Sequence, residues 1–174
     1  YDKFFVIKII IPITIIFISF DYLRIINSKV SNFYNKYFFL ITRDFETSHF
    51  TGASYVLFSS SLIITVFSKD IAIVSLLIMS ISDSLAALIG RKYGSIKFFK
   101  KTLEGSMAFL LSSIFIILSF SKIAIYPAII SAFITTLVES SKFLNIDDNL
   151  TVPLSFAGFY SFLIYFFNKT ILMG

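Results

Sequence analysis

Residues Ser82–Ser106 read SDSLAALIGRKYGSIKFFKKTLEGS, and the character of the whole chain turns on how this stretch is understood. It leaves an apolar run that already holds a carboxylate, Asp83, passes a basic pair between Gly90 and Gly94, and ends in two lysines, a threonine, a glutamate and Gly105. A basic loop after an apolar helix is ordinarily a positive-inside anchor. Asp83 does not fit that reading, because a charged side chain at the centre of a span costs about 2.5–3.5 kcal/mol unless it faces protein, water or a partner. Cations beside carboxylates, with glycines that let backbone approach a ligand closely, suit a magnesium-bound polyphosphate. No GxxxxGK[ST] pattern is present, so the stretch is not a P-loop.

Composition places the stretch in a membrane. Of 174 residues 57% are hydrophobic and 14% charged, against roughly a quarter charged in soluble domains. The mean hydropathy is +0.89. The expected fold is therefore an all-α, polytopic transmembrane bundle of about six spans, a single domain over residues 1–174. With no cysteine, disulfides and thiolate metal sites are excluded. The net charge of +5 is read as cations on cytoplasmic loops rather than as a nucleic-acid surface. The chain begins at Tyr1 rather than Met, so residues upstream are expected.

Outward from the central stretch, spans are predicted over residues 4–20, 53–67, 71–90, 106–120, 123–140 and 154–167. Between the first two, Ile26, Val30, Phe33, Tyr37 and Leu40 recur at helical spacing, as in a helix lying in the membrane interface. On the third span Ser80, Asp83, Ala87 and Gly90 are spaced to share one face of small residues around the carboxylate. His49, the one histidine, reads as interfacial rather than as a base or ligand. Six alternating spans put the segments 21–50, 91–105 and 141–152 on one side of the membrane. Arg24, Lys29, Lys36, Arg43, Arg91, Lys92, Lys97, Lys100, Lys101 and Lys142 gather there, which makes that side cytoplasmic. Asp21, Asp44, Glu46, Asp83, Glu104, Glu139, Asp147 and Asp148 gather with them. An anchor needs no carboxylates, so the crowded face is read as a hydrated mouth for metal and phosphate. Glu139 also has the bland option of pairing with Lys142, and one of Asp147 and Asp148 that of capping the last helix.

SDSLAALIGRKYG, KKTLEGS, TLVES and IDDNLTVP together resemble the CTP-dependent lipid kinases, which include dolichol kinase and phytol kinase, and their diacylglycerol-kinase relatives. The resemblance runs from about Asp21 to Pro153. It is carried mainly by Asp83, Gly90 and Gly94 with Lys101, Thr102, Glu104 and Gly105, and more loosely by Asp21, Arg24, Arg43 and Glu46. Phosphatidate cytidylyltransferases share the KTxEG element, but their closing His-Gly-Gly and Asp-Arg motif is absent here, which favours the kinase branch.

The resemblance implies CTP as phosphoryl donor, Mg2+ or another divalent cation, and a long-chain alcohol as acceptor, such as phytol, dolichol, another polyprenol or diacylglycerol. On it, Asp83, Glu104, Asp147 and Asp148 are expected to serve the metal. Arg91, Lys100 and Lys101 are expected to grip the triphosphate, with Thr102 and the backbone at Gly90, Gly94 and Gly105 in the nucleotide site. Asp83 or Glu139 is expected to accept the hydroxyl proton. The competing expectations are a cytidylyltransferase, attacked at the α-phosphate, and a membrane protein without catalysis.

Overall fold

The computed structural model describes residues 2–38, 49–120, 122–141 and 146–173, with side chains to residue 168. It is an all-α membrane bundle whose outer surface is crowded with Phe, Leu, Ile and Tyr. By length and composition Lys3–Ile26, Lys69–Tyr93 and Asp148–Asn168 can each cross a bilayer. Three shorter apolar helices, Gly52–Val66, Leu103–Leu118 and Ile125–Ser141, complete the six apolar segments foreseen. At about 1.5 Å per residue their 15 to 17 residues reach about 22–26 Å, short of a hydrocarbon core of about 30 Å.

The chain divides into two compact units, Tyr1–Thr65 and Val66–Gly174. The first holds α1 (Lys3–Ile26), α2 (Ser28–Phe38) and nearly all of α3 (Gly52–Val66). Helix α1 continues through Asp21 and Arg24, beyond the expected end at residue 20, because both charged side chains find partners. Asp21 Oδ1 accepts from Arg24 Nε at 2.7 Å, and Oδ2 accepts from Thr51 N at 2.7 Å and Ser54 Oγ at 2.7 Å. Arg24 also donates to the His49 carbonyl at 2.6 Å. Asp21 thus takes up the Thr51 N–H, just before α3, and the Ser54 hydroxyl in its first turn, from a different helix. Thr14 Oγ meets Ser61 Oγ at 2.6 Å lower down the same pair. Helix α2 buries no residue, as suits an interfacial helix.

The second unit begins with α4 (Lys69–Leu77), a π-helical turn (Ile78–Ser82) and α5 (Asp83–Tyr93), which run as one rod. A two-stranded antiparallel hairpin follows, β1 (Lys97–Phe98) with β2 (Lys101–Thr102), in register Lys97↔Thr102 and Phe98↔Lys101. Helices α6 (Leu103–Leu118), α7 (Ile125–Ser141) and α8 (Asp148–Met173) complete it. Helix α6 lies between α5 and α7, while α8 lies along α7 and against α4. The core is formed by Val74, Ile78, Phe109, Ile117, Val152 and Phe156.

Two expectations are corrected here. The last helix starts at Asp148 rather than at residue 154, with Pro153 inside it. The π turn, in which the Asp83 N–H donates to the Ile78 carbonyl, rotates the helix surface, so Ser80 and Ala87 face outward. The small-residue seam is instead Ser82, Ala86 and Gly90, against α6.

Candidate active site

The site is built by three close approaches. Ser113 Oγ meets Ser82 Oγ at 3.1 Å, and a Cβ added at Gly105 would stand 3.0 Å from the Ala86 carbonyl and 3.3 Å from Gly90 Cα. Helices α5 and α6 therefore touch backbone to backbone at the end where the hairpin joins them. At Gly94 an added Cβ would fall 2.2 Å from the Gly90 carbonyl and 2.6 Å from Thr102 Cγ2. What the three glycines visibly provide is this proximity, which sets the hairpin down on α5.

Thr102 is the N-cap of α6, its hydroxyl accepting from Gly105 N at 3.3 Å. Glu104, in the first turn, reaches back to the loop before β1 and accepts from Ser95 N at 2.9 Å, Ile96 N at 3.2 Å and the Ser95 hydroxyl. The Ser95 hydroxyl, aided by backbone N–H groups of the same turn and of Ser95, holds the Glu104 carboxyl down at about 2. Lys100 N donates to the Ser140 carbonyl at 3.1 Å, which ties the hairpin to the end of α7.

With the hairpin held on both flanks, Lys101 projects into the unit. Its ammonium pairs with Glu139 of α7, with Asp148 of α8 at 2.9 Å and with Asp83 of α5 at 3.6 Å. Burial works to lower the Lys101 pKa, but the Glu139 and Asp148 carboxylates outweigh it and hold the group above the ordinary lysine value. Glu139 has no exposed surface, and its Oε2 is buried without a hydrogen-bond partner. Three carboxylates from three helices thus share one ammonium.

The predicted residues sort themselves by this geometry. Asp83, Lys101, Glu139 and Asp148 come together. Asp147 caps α8, its side chain accepting from Asn149 N at 2.9 Å, so Asp148 is the member of the acidic pair that reaches the site. Thr102, Glu104 and the three glycines frame the cluster. Arg91 is exposed and donates back to the Ala87 carbonyl at 3.0 Å, and Lys100 is exposed at the hairpin turn. Asp21 and Arg24 brace the first unit, while Arg43, Glu46 and Lys142 lie outside the described residues.

Ser95 and the Ser82–Ser113 contact had no signal in the sequence. The Thr102 cap did have one: a threonine directly before an apolar helical run with an acid in its first turn.

Among the described residues no group of three acidic or imidazole side chains is arranged as a ready cation site. The donor set nonetheless fits a hard divalent cation: carboxylate oxygens from three helices, one of them, Glu139 Oε2, buried and unpartnered.

No family model and no solved structure matches the chain. It is similar to an uncharacterized protein of Rickettsia prowazekii, 38% identical over 153 residues that cover 83% of this chain and 75% of that protein. It is 32% identical to the dolichol kinase of Saccharomyces cerevisiae over 108 residues, 57% of this chain but only 20% of the yeast protein. It is 26% identical to CTP-dependent diacylglycerol kinase 1 of Schizosaccharomyces pombe over 151 residues, 76% of this chain and 69% of that one.

Proposed function

We propose that this chain, which belongs to one family with the Rickettsia prowazekii protein and has dolichol kinase and CTP-dependent diacylglycerol kinase as distant homologues, transfers the γ-phosphoryl group of CTP to the hydroxyl of a long-chain lipid alcohol. The observation that carries the reading is the convergence of Asp83, Glu139 and Asp148 on Lys101. A membrane protein gains little stability from burying such a set, because desolvation offsets most of the Coulombic attraction. A site that handles polyphosphate needs both signs of charge in one place.

In the reaction a lone pair of the lipid hydroxyl forms a bond to the γ-phosphorus as the bond from that phosphorus to the β,γ-bridging oxygen breaks, and CDP leaves. The hydroxyl proton passes to a carboxylate, Asp83 or Glu139. Lys101 supplies positive charge where the γ-oxygens gain negative charge, with Lys100 and Arg91 the further cations for the triphosphate. Glu104 and Thr102 keep the hairpin in place and so position Lys101. A divalent cation, for which Asp83, Glu139 and Asp148 are the ligand candidates, would neutralise phosphate charge. The acceptor is of the isoprenoid alcohol or diacylglycerol class, and the site faces the cytoplasm, where the basic residues gather.

The test uses the protein in liposomes with magnesium and CTP labelled at either the α- or the γ-phosphate, offered phytol, dolichol, diacylglycerol or phosphatidic acid. The expected result is γ-label in the lipid phase with an alcohol. Label from the α-position entering with phosphatidic acid would replace the kinase by a cytidylyltransferase. Movement of neither label, with no binding of CTP, would overturn both.

A further inference from the structure

We propose that the groove between α7 and α8 seats the aliphatic chain of the acceptor, and that Phe99, at the turn of the hairpin, closes its mouth beside the Lys101 cluster. The inference rests on the kinase reading for what the polar end of that chain meets, and on the groove itself for the rest.

The groove has a volume of about 720 Å3, within the range of roughly 300–1,000 Å3 usual for ligand pockets. Ile134, Leu137 and Val138 of α7 and Leu150 and Leu154 of α8 line it, together with Phe99 of the hairpin turn. A second cavity of about 420 Å3 shares Leu154 and Phe159 with it and continues past Gly158 to Phe162. From Leu150 to Phe162 the trough runs about 18 Å at ~1.5 Å per residue, a length that suits a long aliphatic chain.

Its mouth is the reason to assign it to a substrate rather than to bulk lipid. That end of the groove is lined from the same end of the unit as the charged cluster: Val138 and Ser141 in the last turns of α7, Leu150 in the first turn of α8 and Phe99 at the hairpin turn. An apolar trough that reaches the charged end of the unit is complementary to an amphiphile with one small polar end. A chain lying there brings its hydroxyl to the groups assigned to phosphoryl transfer.

Phe99 supplies a separate observation. Its φ of 50° is the only positive value at a non-glycine position among the described residues. Glycine or asparagine is the ordinary occupant of such a turn position, and for a bulky side chain the conformation is a true outlier. Strain of this kind collects at ligand clamps. The Lys100–Ser140 hydrogen bond ties this turn to the end of α7, and Phe99 is among the residues that line the groove.

Gly158 provides the test. A Cβ there meets nothing within 4 Å, and replacing a helix-interior glycine favours folding, so Gly158→Phe fills the trough without disrupting the bundle. The reconstituted full chain is photolabelled with a long-chain primary alcohol carrying a diazirine at its chain end. The expected result is labelling of α7 and α8, competed by unlabelled long-chain alcohol and reduced about tenfold in Gly158→Phe, while a short-chain alcohol remains a substrate of that variant. Phe99→Gly is expected to raise KM for the acceptor about tenfold with KM for CTP unchanged. Labelling spread equally over the outward face of α6, or an unchanged chain-length profile in Gly158→Phe, overturns the groove. A wild-type chain that shows competed labelling yet transfers no phosphate upholds the groove and overturns the kinase reading instead.

Discussion

Lys101 is one positive charge answering three negative ones, and the consequences of removing each are unequal. Lys101→Met leaves three carboxylates facing one another, including Glu139 with no exposed surface, and is expected to cost about 3–5 kcal/mol. Thermal unfolding in detergent should show a Tm lowered by several degrees together with loss of turnover. Asp83→Asn instead removes one of the three carboxylates and keeps its volume. Its stability is expected within about 1 kcal/mol of wild type, while transfer falls by about 10²–10⁴ if Asp83 is the base. Glu139→Gln is the parallel experiment for the other candidate, and the variant with the larger loss of kcat at unchanged Tm identifies the base. Charge alone sets a second prediction, on pH. Glu104 is held at about 2 against an ordinary 4.5, so its contribution to stability is complete above 4.5 and lost as pH falls toward 2. Glu104→Gln should flatten the acid limb of a Tm-versus-pH curve in that window, and an unchanged limb would remove the role given to the Ser95 contact. Lys101, raised above 10.5, loses its contribution only as pH climbs past that value, so its ammonium stays charged at neutrality.

At the scale of elements, the joint between α5, the hairpin and α6 is set by side chains that are missing. Gly94→Ala would place a methyl group 2.2 Å from the Gly90 carbonyl and 2.6 Å from Thr102 Cγ2, so something must shift. Overpacking of this kind costs about 1–3 kcal/mol. Gly105→Ala, at 3.0 Å from the Ala86 carbonyl, is expected to cost less, and Gly158→Ala to stabilise by up to about 1 kcal/mol. A Tm order of Gly158→Ala, wild type, Gly105→Ala, Gly94→Ala is the expected outcome, and Gly94→Ala at the wild-type value would mean the hairpin yields freely. This joint also shows what the sequence could and could not reveal. The apolar runs and the stranded carboxylate Asp83 are local signals, legible from span length and the cost of a charge in hydrocarbon. The partners of Lys101 lie 38 and 47 residues away, and no local pattern selects Glu139 and Asp148 over Asp147 or Glu104. Choosing between Asp147 and Asp148 depends on where α8 begins, and the loop-like look of NLTVP hid five residues of helix. The π turn is equally invisible to a 3.6-residue period, which is why spacing alone points to Ser80 and Ala87 instead of Ser82 and Ala86.

At the scale of the second unit, the helices bring function to one end and leave simple turns at the other. Hairpin, end of α7 and start of α8 are joined by Lys100–Ser140 and Lys101–Asp148, whereas Ala124, just before α7, is held to the middle of α8 by its N–H donating to Tyr160 Oη at 2.9 Å. The charged end carries Arg91, Lys92, Lys97, Lys100 and Lys101, and the cytoplasmic orientation proposed for it from the positive-inside rule is open to a direct test. The chain has no cysteine, which gives single-cysteine variants a clean background. Ser95→Cys would disturb the Glu104 contact, so Lys97→Cys and Ile146→Cys are the reporters for the charged end, with Ser68→Cys and Lys122→Cys for the other. An impermeant maleimide applied to intact cells is expected to label the second pair and to reach the first only after the membrane is opened. If all four are labelled from outside, the shorter apolar helices do not cross the bilayer. If the pattern is reversed, CTP would have to be drawn from outside the cell, where it is scarce, and the kinase reading would lose its donor.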